Sequence, residues 1–321
     1  MCRLFAYLGP TVPLKSILVE PSNSLVNQSR GPKHHPLLQL AGWGFALWSS
    51  SLVDPDEPII YRRACPAFFD DNLTSLVPAL KGELILAHVR AATYRPEGIV
   101  VDENCHPFLF KEAPWTLAHN GFLLDWQVMQ SAIFAGCKPH WIKQRKGTTD
   151  TELFYCLFLS LLEEYEDPYN FENLKKALLE TLTFLIETGR KFDNTKPIKL
   201  KLILVSKDRV LAINYGAGEN GELELTGDLQ TYREAPIDSP EFLKSTLMEP
   251  LYVKTGTPCE SLTDPYDLKE CEIDTVNAVF VSSEPLTEDE GNWEQLGFGE
   301  MLLVERQSDS SCKLTRGNVF H

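Results

Sequence analysis

Apolar and polar positions divide the chain into strand-like runs at both ends and helical periods in the middle. Arg3 to Leu8 reads as a strand, closed by Gly9-Pro10. Residues 14–29 predict one or two short helices, and Ser29 to Pro36 a basic loop broken by Gly31, Pro32 and Pro36. Strands are expected over Gly42–Trp48, Ile59–Arg62 and Glu83–Arg90, with a helix over Asp70–Leu80. A short strand from Trp115 to Ala118 ends at His119-Asn120-Gly121. Helical periods cover 125–135, 150–165 and 170–189, the second opened by Thr149 and Glu152 in capping-box spacing. Strands return at Lys199–Val205, Val210–Tyr215, Val276–Val281 and Met301–Glu305.

Strands, then helices, then strands again predict a layered α+β domain. No clean linker or internal repeat divides the chain, so residues 2–321 are expected to form a single domain. The polar, loop-rich stretch 218–272 is expected to be an insertion or a lid.

Composition removes several classes of function. With 321 residues and 43% hydrophobic content, the chain can bury a sizeable core. A net charge of −15 argues against nucleic acid, whose phosphates are bound by clustered Lys and Arg. No apolar run approaches the roughly 20 residues that span a bilayer, and no apolar signal region follows Met1-Cys2-Arg3. Eight scattered cysteines with no C-x-x-C pair suit reduced thiols in a cytoplasmic protein without membrane partners. His34-His35 and His140 have no companions at metal-ligand spacing, so neither a metal nor any other cofactor is expected. Gly216-x-Gly-x-x-Gly221 mimics a dinucleotide fingerprint, but the alternating Glu222–Leu225 that follows reads as a strand and thus as a hairpin.

Four elements carry chemistry. Cys2 becomes N-terminal on loss of Met1, and its own α-amine, with a pKa of about 7.7–8.0, can then serve as base for the thiol. Asn120 and Gly121 can supply a side-chain and a backbone donor to an oxyanion, although Asn-Gly alone reads as a tight turn. Arg90, at a strand end among small residues, suits a carboxylate. Asp150, at a helix start, can neutralise an ammonium. Together, Arg90 and Asp150 would grip the head of a free α-amino acid, and Asn120 and Gly121 would polarise its far amide for attack by Cys2.

Met1-Cys2-Arg3, Gly42-Trp43-Gly44, Arg90-Ala91-Ala92-Thr93, Glu103-Asn104-Cys105-His106-Pro107-Phe108, His119-Asn120-Gly121 and Thr149-Asp150-Thr151-Glu152 resemble, in order and spacing, the class II glutamine amidotransferases, the N-terminal-cysteine branch of the Ntn hydrolases. The nearer likeness is to standalone YafJ-like members and γ-glutamyl amidohydrolases of thiol pathways such as ergothioneine synthesis. They share the His-Pro-Phe element and a tail like Val281-Ser282-Ser283-Glu284-Pro285-Leu286-Thr287.

The resemblance implies a four-layer αββα sandwich. Cys2 would be the nucleophile and Asn120 and Gly121 the oxyanion hole. Arg90 would bind the substrate carboxylate and Asp150 its ammonium, with Thr93 and His106 lining the pocket. Ala41 stands before Gly-Trp-Gly where an acidic residue is common in the family, and Ala91 and Tyr94 depart from the synthase-fused pattern. The expected activity is hydrolysis of the γ-amide of glutamine or a γ-glutamyl compound through a Cys2 thioester. Two alternatives stay open: a glutaminase subunit passing ammonia to a separate synthase partner, and a non-catalytic glutamine-binding regulator.

Overall fold

The computed structural model describes residues 2–33, 38–91, 99–123, 125–194, 198–217, 249–258, 268–269, 276–287 and 292–319. The elements are β1 (Arg3–Pro13), α1 (Leu14–Leu18), α2 (Leu25–Arg30), β2 (Gly42–Trp48), β3 (Ile59–Arg63), α3 (Asp71–Leu76), β4 (Lys81–Arg90), β5 (Thr116–Leu123), α4 (Gln130–Ala135), α5 (Pro139–Ile142), α6 (Asp150–Leu162), α7 (Phe171–Lys191), β6 (Ile198–Ser206), β7 (Arg209–Ala217), β8 (Leu251–Pro258), β9 (Leu268–Lys269), β10 (Ala278–Ser282), β11 (Glu294–Leu296), β12 (Glu300–Arg306) and β13 (Cys312–Asn318). They build two antiparallel sheets. The first runs β11-β8-β10-β1-β4-β2-β3, with β9 against β8; the second runs β13-β12-β7-β6-β5.

Three apolar layers separate four structural layers, which gives the αββα sandwich. The two-residue period of the strands sorts their side chains. In β1, Phe5 and Tyr7 pack with Leu14, Ile17 and Leu25 of α1 and α2, whereas Leu4, Ala6 and Leu8 face the other sheet. In β6, Leu200, Leu202 and Leu204 face the α4–α7 side, while Ile203 and Val205 meet the first sheet. Helix α7 buries Leu174, Ala177, Leu178, Thr181, Leu182 and Leu185, a single face at helical spacing. Helix α6 is buried nearly all round because it lies between the second sheet and the outer helices.

Several boundaries differ from the sequence expectation. Gly9-Pro10 does not close β1; the strand shifts register between Leu8 and Val12 and goes on pairing with β4. Asn120-Gly121 is not a turn: β5 runs straight through it, with Asn120 opposite Lys201 and Gly121 opposite Leu200. Cross-strand pairing with β6 overrides the local turn preference. Leu251–Pro258, inside the stretch read as loop-rich, pairs with both β10 and β11. The Gly-rich stretch from residue 218 lies outside the described residues, as do His34, His35 and Thr93.

Candidate active site

The site lies where the start of β1, the end of β4, the middle of β5 and the start of α6 come together. Arg3 pairs with Val89, so Cys2 meets the strand end that carries Arg90. The Ala91 amide donates to the Cys2 sulfur at 3.4 Å. Arg3 is fully buried; its guanidinium donates to the Cys2 carbonyl at 3.1 Å and pairs with Glu284 at 2.6 Å. Glu284 also accepts from the Lys33 amide at 3.0 Å. The strand that follows Cys2 therefore starts from a fixed backbone.

Among the described residues β5 is the last strand of its sheet, with Phe108 bridged to Leu117 on its outer side. Leu117 donates outward to the Phe108 carbonyl at 2.9 Å, and Leu123 donates outward to Asp150 Oδ2 at 2.9 Å. Pairing between them is unbroken, so the two-residue period turns the Gly121 N–H to the same edge, away from β6. A Cβ at Gly121 would overlap the Lys199 carbonyl oxygen and crowd His119 Nε2, which explains glycine there. Asn120 points the opposite way, between the sheets, where Nδ2 donates to Ser283 Oγ at 3.4 Å. Ser283 Oγ also accepts from Leu4 N at 2.9 Å, which ties Asn120 to the strand that follows Cys2.

His119 is a strut that the sequence motif did not assign. Its Nε2 lies 3.0 Å from the Lys199 carbonyl and its Nδ1 2.9 Å from Thr151 Oγ1. Burial lowers its pKa. The carbonyl can only accept, so Nε2 carries a proton, and Thr151 Oγ1, which also donates to Asp150 Oδ1 at 3.3 Å, lies against Nδ1. This bridge fixes the start of α6 against β5. Asp150 accepts from the Thr151 amide at 2.8 Å and the Thr151 hydroxyl at 3.3 Å through Oδ1, besides Leu123 N through Oδ2. A carboxylate has about four acceptor positions, so Asp150 retains capacity for a cation. Thr149 caps α6 as its spacing predicts, accepting from Glu152 N at 3.1 Å, but Glu152 reaches instead to Lys146 N and Gly147 N.

Arg90 is largely buried and donates to the Ile99 carbonyl at 2.9 Å. Asn104 donates to the same carbonyl at 3.0 Å and accepts from Thr148 N at 2.8 Å. The Asn104 of the Glu-Asn-Cys-His-Pro-Phe motif thus links the Arg90 end of the site to the Asp150 end. His106 is buried, tilted on Phe108 and edge-on to His88, with ring centroids 4.3 Å apart in the histidine pair. The His106 ring has no hydrogen-bond partner among the described residues, and burial pushes both imidazole pKa values well down. Gly44 lets this segment approach β2, because a Cβ there would overlap the His106 carbonyl. Gly-Trp-Gly and Cys-His-Pro are therefore two sides of one contact. Thr93, expected in the pocket, lies outside the described residues.

Behind Asn120 sits a buried ionic group. Lys201 pairs with Glu249 at 3.1 Å, and Lys199 Nζ has no hydrogen-bond partner among the described residues. Burial lowers both lysine pKa values, Lys199 the further. Among the described residues, no cluster of His, Cys, Asp and Glu could hold a metal, and no helix is long and apolar enough to cross a membrane.

A family model for class-II glutamine amidotransferases matches residues 14–193. The probable glutamine amidotransferase DUG3 of Saccharomyces cerevisiae is 25% identical over 326 residues, spanning 96% of this chain and 83% of that protein. A γ-glutamyl-hercynylcysteine sulfoxide hydrolase of Mycobacterium tuberculosis is 34% identical over 123 residues, 38% of this chain and 49% of the hydrolase. Among solved structures, a glutamine aminotransferase class-II domain protein from Silicibacter pomeroyi superposes with a TM-score of 0.57 at 18% identity, covering 99% of both chains. Glutamine phosphoribosylpyrophosphate amidotransferase from B. subtilis gives 0.52 at 15% identity over 98% of this chain and 49% of that one. At these identities the structural likeness speaks for the fold.

Proposed function

The chain belongs to the class-II glutamine amidotransferases, and from that premise we propose that it hydrolyses the γ-amide of glutamine or a γ-glutamyl compound through a thioester at Cys2. One observation carries this reading. Cys2 is joined on one side to the Arg90 strand through Ala91, and on the other, through Leu4 and Ser283, to Asn120. A thiol, a guanidinium and a side-chain amide thereby share one end of the sandwich, which supports their reading as nucleophile, carboxylate-binding cation and oxyanion donor.

After removal of Met1 the freed α-amine takes the thiol proton, directly or through one water. The thiolate attacks the γ-carbonyl carbon, and the carbonyl electrons move onto oxygen. Asn120 Nδ2 and the outward Gly121 N–H stabilise that oxyanion. Arg90 holds the α-carboxylate and Asp150 the α-ammonium, so binding at the head places the far amide. The C–N bond breaks as the leaving nitrogen takes the proton from the α-amine. Water then attacks the thioester, releasing glutamate and restoring the thiol.

The mycobacterial hydrolase is named for a γ-glutamyl compound, and its 34% identity over 123 residues supports a substrate class wider than glutamine itself. The test is glutamate release from glutamine and from γ-glutamyl amides, comparing the unaltered protein with Cys2→Ala. Release by the unaltered protein and none by the variant is expected. Equal release by both would remove Cys2 from the reaction. Glutamine binding without turnover by the unaltered protein would move a regulatory role to the front.

A further inference from the structure

Ser283 belongs to the Val281–Thr287 stretch, whose sequence resemblance came with no role. It lies just past β10 and is buried. Its backbone amide donates to the Leu4 carbonyl at 3.0 Å, and its Oγ accepts from the Leu4 amide at 2.9 Å. Both main-chain groups of Leu4 are thus held by one residue, two positions after the nucleophile. Glu284, next in the chain, is locked by the buried Arg3 ion pair. Ser283 consequently has little freedom to shift relative to β1.

Ser283 Oγ also accepts from Asn120 Nδ2 at 3.4 Å. Asn120 sits on the other sheet, so this contact crosses between the layers. The torsion that turns an Asn carboxamide is broad and roughly two-fold, so packing alone sets it poorly. Asn120 Oδ1 has no hydrogen-bond partner among the described residues, which leaves the Nδ2–Ser283 bond as the contact that selects the amide orientation. An NH2 group has two hydrogens. With one held by Ser283, the other is aimed in a fixed direction.

We propose that Ser283 is a positioning residue for the oxyanion hole: it holds one Asn120 N–H so that the other faces the carbonyl oxygen attacked by Cys2, and it ties that donor to the strand bearing the nucleophile. This rests on the proposed role of Asn120. A purely structural Ser283 would serve only the Leu4 amide; removing it would then cost stability by the same amount whether or not Asn120 is present. A positioning residue acts through Asn120, so its removal matters only while Asn120 is there.

The experiment measures kcat and KM for glutamate release from glutamine in the full chain with mature N-terminus. Rates are normalised to the fraction of Cys2 labelled by a glutamine-mimicking diazo-ketone, which counts only folded sites. The proteins are the unaltered chain, Ser283→Ala, Asn120→Ala and the double variant, with Ser283→Thr and Ser283→Val as a near-isosteric pair differing in the hydroxyl. Asn120→Ala is expected to lower kcat by about 100-fold or more. Ser283→Ala should lower kcat about 10-fold with KM within about 2-fold, and should cost nothing further in the Asn120→Ala background. Ser283→Thr should retain most of the rate and Ser283→Val should not, a comparison that stands even where Ser283→Ala fails to fold. The same fold-loss from Ser283→Ala in both backgrounds, or equal rates for the Thr and Val variants, would overturn the positioning role while leaving Asn120 in place. An undiminished Asn120→Ala variant would instead remove the oxyanion assignment, and Ser283's role with it.

Discussion

The Ala91 amide points at the Cys2 sulfur across 3.4 Å, which places the residue after Arg90 in contact with the proposed nucleophile. The register of β1 on β4 produces this contact, so it is a property of the sheet rather than of a loop. The guanidinium that would hold the substrate head and the thiol that would attack its tail are consequently set by one strand pair.

Arg90→Lys should therefore raise KM for glutamine and leave kcat nearly intact, because the head contact is made in both ground and transition states. A planar fork replaced by a point charge loses a charge-assisted bond of about 1.5–3 kcal/mol, roughly a 10- to 150-fold rise in KM. Steady-state kinetics check it; an unchanged KM would detach Arg90 from the carboxylate.

Gly121→Ala should fail for a backbone reason. The added Cβ would overlap the Lys199 carbonyl oxygen on the neighbouring strand, which is backbone and cannot swing aside. The expected cost is about 1–3 kcal/mol of stability together with loss of turnover. Denaturant unfolding and glutamate release on the same sample measure both.

The Lys201–Glu249 pair predicts an asymmetry. Both groups are buried, so Lys201→Ala removes one half of a buried ion pair and should cost about 3–5 kcal/mol. Replacing both, as Lys201→Met with Glu249→Leu, should cost far less, since neither charge remains to be desolvated. Urea midpoints of the single and double variants decide between a paired and an independent role.

Stability should fall on acidification below about pH 6.5. Burial, aided by Arg90 and neighbouring imidazoles, lowers the His88 and His106 pKa values well below the ordinary 6.5. The unfolded chain then binds protons that the folded chain refuses, so this contribution is complete above the unfolded pKa and is lost as pH falls toward the folded one. Each ring contributes a slope of up to about 1.4 kcal/mol per pH unit. Urea unfolding between pH 7 and 5 should show the decline, and His88→Asn should flatten it by about one proton. A flat profile in the unaltered protein would contradict the buried neutral pair.

Much of the fold is legible in the sequence because apolar period and burial agree: Glu83–Arg90, Lys199–Val205 and the face of α7 follow from alternation or helical spacing alone. Asn120-Gly121 is not legible that way. Locally it favours a turn, and only pairing with Lys201 and Leu200 shows it as edge strand with an outward N–H. His119, Ser283 and Asn104 are legible as parts of motifs, but their work is done across long sequence separations, to Thr151, Leu4 and Thr148. Strand β8 is hidden because polar sequence surrounds it and its pairing partners β10 and β11 lie further along the chain.

The most direct test of the central claim is intact mass of the purified protein combined with labelling by a glutamine-mimicking diazo-ketone. The account predicts loss of Met1 and a single adduct that maps to Cys2 and is suppressed by excess glutamine. Retention of Met1, or an adduct on another cysteine such as the half-buried Cys65, would contradict it.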